Sequence, residues 1–503
     1  MASDRLDRRT SGVLLHPTSL PGPFGIGDLG PHAHSWIDTL AKAGQRWWQM
    51  LPVGPTGYGD SPYQSPSTFA GNPNLLSPEQ LAEDGLCSPT NAAEVAWPDA
   101  FVNYELVIPN KRQLLHRAWK LFQAGHANHL QLLFASFRKE TEWWLDDYAL
   151  FAAIKDSLDE VAWWHWPKPL AFRDPAALNA SAVKLADEID AHRFGQFLFF
   201  HQWGRLREHA RKAGIQLIGD LPVYVALDST DVWARPELFL LDRDKQPVVV
   251  SGVPPDYFCA TGQLWGNPIY DWDALKRTGY SWWVDRLRAA LKLFDLVRID
   301  HFRGLEAYWA VPAGDSTAER GTWSPGPRGD LLDAMRKAIG SLPIIAEDLG
   351  FITADVDALR EEFHLPGMRI LQFAFGGAVE PRFLPHRFDE NLVVYTGTHD
   401  NDTTRGWYEK LTDAERSDFH KYAPDAAAHP VGALIRLAWA SVADLAIVPL
   451  QDLLGQGSEA RINKPGTKTG NWRWRASSQD LAKSDWIDWL AELNRTYERN
   501  AAK

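Results

Sequence analysis

Short apolar runs that end in a polar side chain recur along the chain, with helical apolar periodicity between them. From these runs we predict eight strands, at residues 12–16, 46–53, 215–220, 293–300, 342–347, 368–372, 391–400 and 445–452. The polar residues at or near their ends are His16, Gln49, Asp220, Asp300, Glu347, Gln372, Asp400 and Asp452. Later strand ends lie 25 and 28 residues apart, which is typical of single strand–helix–strand units.

Eight strands alternating with helices predict an α/β fold of the (β/α)8 TIM-barrel type, with insertions that form subdomains around its C-terminal face. Polar groups at the strand ends favour that face as the functional site. An open, doubly wound sheet is the alternative, but it does not require a polar group on every strand. We therefore treat residues 1–503 as one catalytic barrel domain.

Two long segments do not follow the strand–helix alternation. Residues 75–190 have few β-branched runs and carry helical patterns, so we predict a mainly helical insertion subdomain there. Its helices are expected at residues 105–124, 129–142 and 144–158, with a further helix at 191–213 leading back to the sheet. Residues 226–292, between the third and fourth strands, predict a second, irregular insertion.

Aromatic residues and loops suggest ligand contact without requiring it. The chain has 24 tryptophans, which suit stacking on sugars or bases, although the pairs Trp143–Trp144 and Trp163–Trp164 are expected in the core. The loop at residues 54–73 holds Tyr63 among many turn formers, and surface packing is the alternative role for its aromatic side chains. Residues 25–30 match G-x-G-x-x-G, but no strand runs directly into them, so we predict a turned loop and not a nucleotide site.

Charge and cysteine usage narrow the class of protein. The net charge of −12 argues against nucleic acid as a partner. No run of 18 uninterrupted apolar residues predicts a membrane span, and the N-terminus lacks the apolar segment of a signal peptide. Cys87 and Cys259 form no disulfide framework or metal spacing, so a reduced, cytoplasmic location is expected.

Three strand-end carboxylates are candidates for catalysis. Arg298 and Asp300 lie two apart and share one side of a strand, so Arg298 is expected to favour the ionised form of Asp300. Glu347 follows the apolar residues 343–346, and such neighbours favour a retained proton. Together with Asp400 they suit glycosidic bond cleavage, which needs one ionised and one protonated carboxyl. A salt-bridged strand end without catalysis is the alternative for Asp300.

Metal binding is the alternative use of the polar segment His399–Asp402. Successive residues on a strand point to opposite sides, and no spacing typical of metal ligands appears. The sequence therefore predicts no metal site.

Long motifs along the chain resemble one family. They are HPTSLPG (16–22), DSPYQS (60–65), GDLPVYV (219–225), PPDY (254–257), GQLWGNP (262–268), LVRIDHFRG (296–304), AEDLG (346–350), GTHDN (397–401) and RINKPG (461–466). The chain is similar over residues 12–475 to the amylomaltases, or disproportionating enzymes, which are 4-α-glucanotransferases of the α-amylase superfamily.

The resemblance implies a retaining double displacement without metal or organic cofactor. It implies that Asp300 is the nucleophile, Glu347 the general acid and then base, and Asp400 the carboxylate that stabilises the transition state. Substrate contacts are implied for Tyr63, Asp220, Gln263, Trp265, Arg298, His399 and Asn463. Residues 257–268 match a loop that covers the acceptor side of the cleft in this family.

The implied reaction moves a segment of an α-1,4-glucan donor to the 4-hydroxyl of glucose or a maltooligosaccharide acceptor, in the metabolism of maltodextrin, starch or glycogen. An α-glucan hydrolase remains the alternative, because the same carboxylates serve both reactions. An inactive glucan-binding protein is the hypothesis from a different class. The chain departs from the family pattern at residues 376–378 and at Arg387, so no sugar contact is assigned there. The sequence does not predict the oligomeric state.

Overall fold

A computed structural model describes residues 9–88, 97–255, 260–376 and 380–499. Its strands are β1 (Thr10–Leu14), β2 (Trp47–Gln49), β3 (Gln216–Pro222), β4 (Val249–Val253), β5 (Gln263–Pro268), β6 (Leu296–Asp300), β7 (Ala307–Pro312), β8 (Thr322–Pro325), β9 (Ile344–Ala346), β10 (Gly367–Ile370), β11 (Leu392–Tyr395) and β12 (Leu445–Pro449).

The helices surround the strands on their outer side. They are α1 (Pro31–Lys42), α2 (Pro78–Glu83), α3 (Tyr104–Gln123), α4 (Gln131–Ser157), α5 (Lys168–Ala171), α6 (Pro175–Lys184), α7 (Ala186–Ala213), α8 (Thr230–Ala234), α9 (Trp272–Arg277), α10 (Ser281–Leu293), α11 (Gly329–Ile339), α12 (Ala354–Glu362), α13 (Thr404–Lys410), α14 (Asp413–Tyr422), α15 (Pro430–Ala440), α16 (Leu450–Leu453), α17 (Ser478–Ala482) and α18 (Ser484–Thr496).

In the described part of the chain, eight parallel strands form the central sheet in the order β10-β11-β12-β1-β2-β3-β6-β9. The two outermost strands also approach each other, because the Ala346 N–H at the end of β9 donates to the carbonyl of Pro366, just before β10, at 2.9 Å. The sheet is therefore a nearly closed barrel, and the predicted (β/α)8 fold is confirmed.

Most predicted strands are shorter than expected; the eighth, for example, ends at Pro449, so Asp452 lies in α16. The second and the seventh differ most. The second ends at Gln49 and not at residue 53, and the seventh ends at Tyr395 and not at residue 400. Pro52 lacks the N–H that a strand ladder needs, and after β11 a turn forms in which the Asn401 N–H donates to the Thr398 carbonyl at 3.2 Å. His399 and Asp400 consequently lie in a loop after β11 and not on the strand.

Alternation along the strands separates the two sides of the barrel wall. Leu296 of β6 belongs to the apolar cluster inside the barrel, whereas Val297 and Ile299 pack in the outer cluster beneath the helices. Ile218 of β3 and Ile345 of β9 point inward in the same way. Because side chains alternate along a strand, the polar residues that follow these inward positions at the C-terminal ends reach the mouth of the barrel.

The helical segment differs from its prediction in one respect. Residues 131–157 form one continuous helix, α4, where two were predicted, because no glycine or proline separates them. Trp144 and Trp163 are buried as predicted, but Trp143 is half-exposed. The division of the chain into a barrel and inserted subdomains stays a prediction.

A second, antiparallel sheet was not predicted. Its described strands pair in the order β5-β4-β7-β8. GQLWGNP lies in the insertion predicted to be irregular, and its Gly and Pro residues are unfavourable in a strand interior. This sheet brings β5 of the second insertion next to the loop that follows β6. None of the helices among the described residues is both long enough and apolar enough to cross a lipid bilayer.

Candidate active site

Strand ends around the mouth of the barrel bring three of the predicted residues together. Arg298 is buried in the centre and donates through one terminal nitrogen to Asp220 Oδ2 at 2.5 Å and through the other to Asp300 Oδ1 at 2.7 Å. The ion pair predicted from the spacing of Arg298 and Asp300 is therefore present. Asp220 lies within β3 and not at its end, and its contact with Arg298 was not predicted.

Tyr63 links this group to the opposite wall. Its hydroxyl donates to Asp220 Oδ2 at 2.7 Å and lies 2.9 Å from His399 Nε2. The two rings are also stacked, with centroids 5.4 Å apart. The loop at residues 54–73 thus carries a side chain into the site, while Phe69 of the same loop packs against Trp143 and Trp144.

Glu347 is held by two backbone N–H groups. His301 N–H donates to Glu347 Oε2 at 2.6 Å, and Leu349 N–H donates to Oε1 at 3.0 Å. His301 has a φ of 54°, in the left-handed region, and this conformation directly follows Asp300. The turn after β6 therefore connects the two candidate catalytic carboxyls, because His301 directly follows Asp300 and its N–H binds Glu347.

Asp400 is fixed by the segment that follows α16. Asn463 Nδ2 donates to Asp400 Oδ1 at 2.6 Å, and an Arg461 terminal nitrogen donates to the Asp400 carbonyl at 2.5 Å. His399 Nε2 lies 3.4 Å from Asp400 Oδ2. The Asp400 side chain remains 43% exposed, so it is available to a ligand from the mouth of the barrel.

Gln263 and Trp265 arrive from the second sheet, on β5. The Trp265 ring meets the His301 ring edge-to-face, with centroids 4.7 Å apart, and its Nε1 donates to Gln263 Oε1 at 3.2 Å. The ten predicted site residues, together with His301, thus form one continuous set of contacts around Asp300. Part of the predicted covering loop, residues 257–259, lies outside the described residues, as does Cys259.

Burial changes the protonation of both central carboxyls. It raises the pKa of Asp300 to about 8, Arg298 opposes the rise, and the charges of Asp220, Glu347 and Asp400 add to it. Arg298 does lower the pKa of Asp300, as predicted. The net shift of this pKa is nevertheless upward, because desolvation is the larger effect. Burial also raises the pKa of Glu347, as predicted, although Arg298 and the two N–H donors oppose it.

The remaining polar strand ends have structural roles. Asp452 accepts from the hydroxyls of Thr396 and Thr404 at 2.7 and 2.6 Å. Gln49 accepts from the Tyr395 hydroxyl, and Gln372 donates to the Asp402 carbonyl. These contacts hold neighbouring strands and loops together. A polar strand end was therefore a correct indicator of the mouth, but not of catalysis at each position.

Two recesses lie beside the contact network. One, of about 430 Å³, borders His16 and His399, and the other, of about 650 Å³, borders Tyr63 and Asp220. Neither is lined by Asp300 or Glu347. The Asp300 side chain is 28% exposed, so the central carboxyls face the open mouth of the barrel.

Two other sequence hypotheses concern cofactors. In residues 25–30, Asp28 forms a buried ion pair with Lys111 at 3.4 Å, and Gly30 directly precedes α1. The segment is a loop, as predicted. Among residues 9–88, 97–255, 260–376 and 380–499, no group of three or more His, Cys, Asp or Glu side chains is arranged to hold a metal ion.

Three contributors to the site were missed from the sequence. They are the N–H groups of His301 and Leu349 and the side chain of Arg461. The backbone donors leave no signal in residue type. His301 does carry a weak signal, because it follows a strand-end aspartate directly.

The fold and the site together define a (β/α)8 barrel that presents carboxylates at its C-terminal mouth, where enzymes of this fold have their active sites. The family model of glycoside hydrolase family 77, described as 4-alpha-glucanotransferase, matches residues 15–481. The chain belongs to this family.

Individual relatives agree with the family over nearly their full length. A 4-alpha-glucanotransferase of Thermus thermophilus is 49% identical, covering 94% of this chain and 96% of the relative. One from Synechocystis is 49% identical, covering 96% of each. The solved amylomaltase of Streptococcus agalactiae in complex with acarbose superimposes with a TM-score of 0.94 at 38% identity, covering 98% of this chain and 100% of that one.

Proposed function

We propose that this chain transfers a segment of an α-1,4-glucan donor to the 4-hydroxyl of glucose or a maltooligosaccharide acceptor. Its metabolic setting is the turnover of maltodextrin, starch or glycogen. One observation carries the proposal. Asp300 accepts a hydrogen bond from Arg298, and the N–H of the next residue, His301, holds Glu347. This arrangement presents a nucleophile and a proton donor to one sugar ring.

In the first step Asp300 attacks the anomeric carbon of the donor as a carboxylate, the form that Arg298 favours against the effect of burial. Its Oδ1 accepts from Arg298, which leaves Oδ2 for the attack. The glycosidic C–O bond breaks as Glu347 gives its proton to the departing oxygen. The products are a glycosyl ester on Asp300, an ionised Glu347 and a released glucan with a new 4-hydroxyl.

The electrostatics of the pair favour this exchange of roles. Glu347 is required in its protonated form for this step, and burial raises its pKa in that direction. When Asp300 becomes a neutral ester, its repulsion of a charged Glu347 disappears, and the pKa of Glu347 falls. The His301 and Leu349 N–H groups then stabilise the carboxylate that remains. In the second step this carboxylate takes the proton of the acceptor hydroxyl as it attacks the ester.

The surrounding residues position and stabilise the reacting sugar. Asp400, oriented by Asn463, is placed to bind hydroxyls and to stabilise positive charge at the anomeric carbon. Tyr63 and His399 form an aromatic wall, and Asp220 fixes the far side of Arg298. Gln263 and Trp265 are proposed to contact the sugar on the acceptor side.

Transfer requires that an acceptor sugar, and not water, reaches the ester on Asp300. Trp265 on β5, next to the turn after Asp300, supports a covered acceptor side. The test is to incubate the protein with maltotriose. Transfer predicts glucose and longer maltodextrins at a constant number of reducing ends, whereas a steady rise in reducing ends would show that the chain is an α-glucan hydrolase.

A cytoplasmic location is proposed separately from the reaction. Cys87 is a free thiol in the described part of the chain, as a reduced compartment would allow. A potato relative at 46% identity is named as chloroplastic or amyloplastic, so the compartment differs within the family. Fractionation of the native cell with an activity assay tests the location.

A further inference from the structure

Two exposed aromatic side chains, Trp323 on β8 and Phe351 in the loop after β9, form what we call the aromatic platform. Trp323 is 37% exposed and Phe351 is 65% exposed. Their rings are nearly parallel, with an interplanar angle of 25° and centroids 6.4 Å apart. Exposed large apolar groups that lie together mark interaction sites, because water contact with them is unfavourable.

Arg303 holds the platform in place. Its guanidinium carbon lies 3.8 Å from the centre of the Trp323 ring and 5.8 Å from that of Phe351. The same guanidinium donates to the Phe351 carbonyl, and Arg303 is only 4% exposed. The buried guanidinium of Arg303 thus contacts the ring of Trp323 and the backbone of Phe351, so the platform is preformed.

The platform lies close to the candidate catalytic carboxyls. Phe351 is four residues beyond Glu347, and Leu349 between them donates its N–H to Glu347. The length of that segment limits the separation of the two Cα atoms to about 14 Å. Arg303 is likewise three residues beyond Asp300.

The position of Glu347, the general acid, indicates on which side of the cleaved glycosidic bond the aromatic platform lies. It protonates the departing oxygen, so the loop that carries Glu347 lies toward the leaving group and the incoming acceptor. Trp323 belongs to the same antiparallel sheet as Trp265, which lies against His301 after Asp300. The platform is assigned to the acceptor side because Phe351 lies in the Glu347 loop, whereas Trp265 lies on the opposite edge of the small sheet from Trp323.

We propose that the aromatic platform is a distal acceptor subsite, on which a glucose ring of the acceptor chain stacks beyond the ring that reacts. Flat aromatic faces suit the apolar C–H face of a sugar, and Phe351 lies beyond Glu347 and Leu349 on the loop that carries the general acid. The inference rests on the proposed function and adds a preference for longer acceptors. Phe351 contributes the larger exposed surface.

The test compares two acceptors with one donor, α-maltosyl fluoride, whose turnover is followed by fluoride release. For Phe351→Ala, the ratio of kcat/KM for maltotetraose to that for glucose is expected to fall about tenfold, equivalent to about 1.4 kcal/mol. Phe351→Tyr should keep the ratio, because the ring remains. Phe172→Ala is the matched control, since Phe172 is 41% exposed but lies in the helical segment.

Several outcomes would overturn the inference. A ratio within twofold of wild type in Phe351→Ala, or an equal loss with both acceptors, would mean that the platform does not bind the acceptor chain. Trp323→Ala should lower the same ratio, and its melting temperature shows whether the sheet persists. If wild type itself transfers nothing to either acceptor, the proposed function fails; if it transfers and the variants keep its ratio, only the platform inference fails.

Discussion

Replacing Glu347 by Gln separates proton transfer from the rest of the site. The substitution keeps the size of the side chain but removes the proton. The amide oxygen accepts only one of the two bonds now made by the N–H groups of His301 and Leu349, at 2.6 and 3.0 Å. An unsatisfied backbone N–H costs about 1–3 kcal/mol, which is below the roughly 5–15 kcal/mol of a typical folded domain. The variant should therefore fold.

The expected loss of activity depends on the leaving group. General acid catalysis contributes about 10²–10⁴ in rate, equivalent to about 3–5.5 kcal/mol of barrier. Transfer from maltotriose, whose leaving oxygen needs a proton, should fall by that factor. Fluoride leaves without protonation, so the first turnover of α-maltosyl fluoride should stay within about tenfold of wild type.

The assay records the burst of fluoride and the mass of the protein after mixing. Glu347→Gln should accumulate a maltosyl ester on Asp300, because the second step lacks its base, and azide should restore turnover because it needs no deprotonation. Asp300→Asn is the control and should give no burst with either donor. An equal loss on maltotriose and on the fluoride would refute the assignment of Glu347 as the general acid.

Three further predictions address the network and the barrel. Tyr63→Phe keeps the ring stacked on His399 but removes the hydrogen bonds of the hydroxyl to Asp220 and His399, at 2.7 and 2.9 Å. We expect the free energy of unfolding to fall by about 1–3 kcal/mol and transfer to be at least about tenfold slower. An unchanged free energy of unfolding and an unchanged rate would contradict the role of the hydroxyl. Asp300→Asn should raise the melting temperature more at pH 8 than at pH 4. The pKa of the Asp300 carboxyl is about 8 in the folded protein and about 3.9 in the unfolded chain, so wild type loses stability as the pH rises between these values. A difference in melting temperature that does not change with pH would argue against the raised pKa. Gly219→Ala should destabilise the barrel by about 1–3 kcal/mol or more in a denaturation assay, because the added Cβ would lie 2.1 Å from the Phe294 ring. Gly204→Ala is the control. Its Cβ would meet open space beside α7, so the same assay should show stabilisation by about 0.5–1 kcal/mol.

The barrel was predictable because its signals are local. Each strand is a short apolar run, and the alternation in Leu296–Asp300 places Arg298 and Asp300 on the inner side, where the structure has them. The small sheet was not predictable in the same way. Its strands are short, contain Gly and Pro, and gain their stability from pairing with each other, as β4 does with both β5 and β7.

The candidate site divides along the same line. Residue types and chain order were enough to select Asp300, Glu347 and Asp400, because each ends or closely follows an apolar run and stands in a long motif. The motifs also indicated the other residues that we propose as substrate contacts.

Only the folded chain decided how these groups act on each other. Tyr63 meets Asp220 across 157 positions, and His301 meets Glu347 across 46. The upward shift in the pKa of Asp300 likewise comes from burial, which no neighbouring residue in the sequence reports. Local patterns specify strands and candidate groups, whereas contact and desolvation depend on segments far apart in the chain, and these shift the pKa values of the central carboxyls.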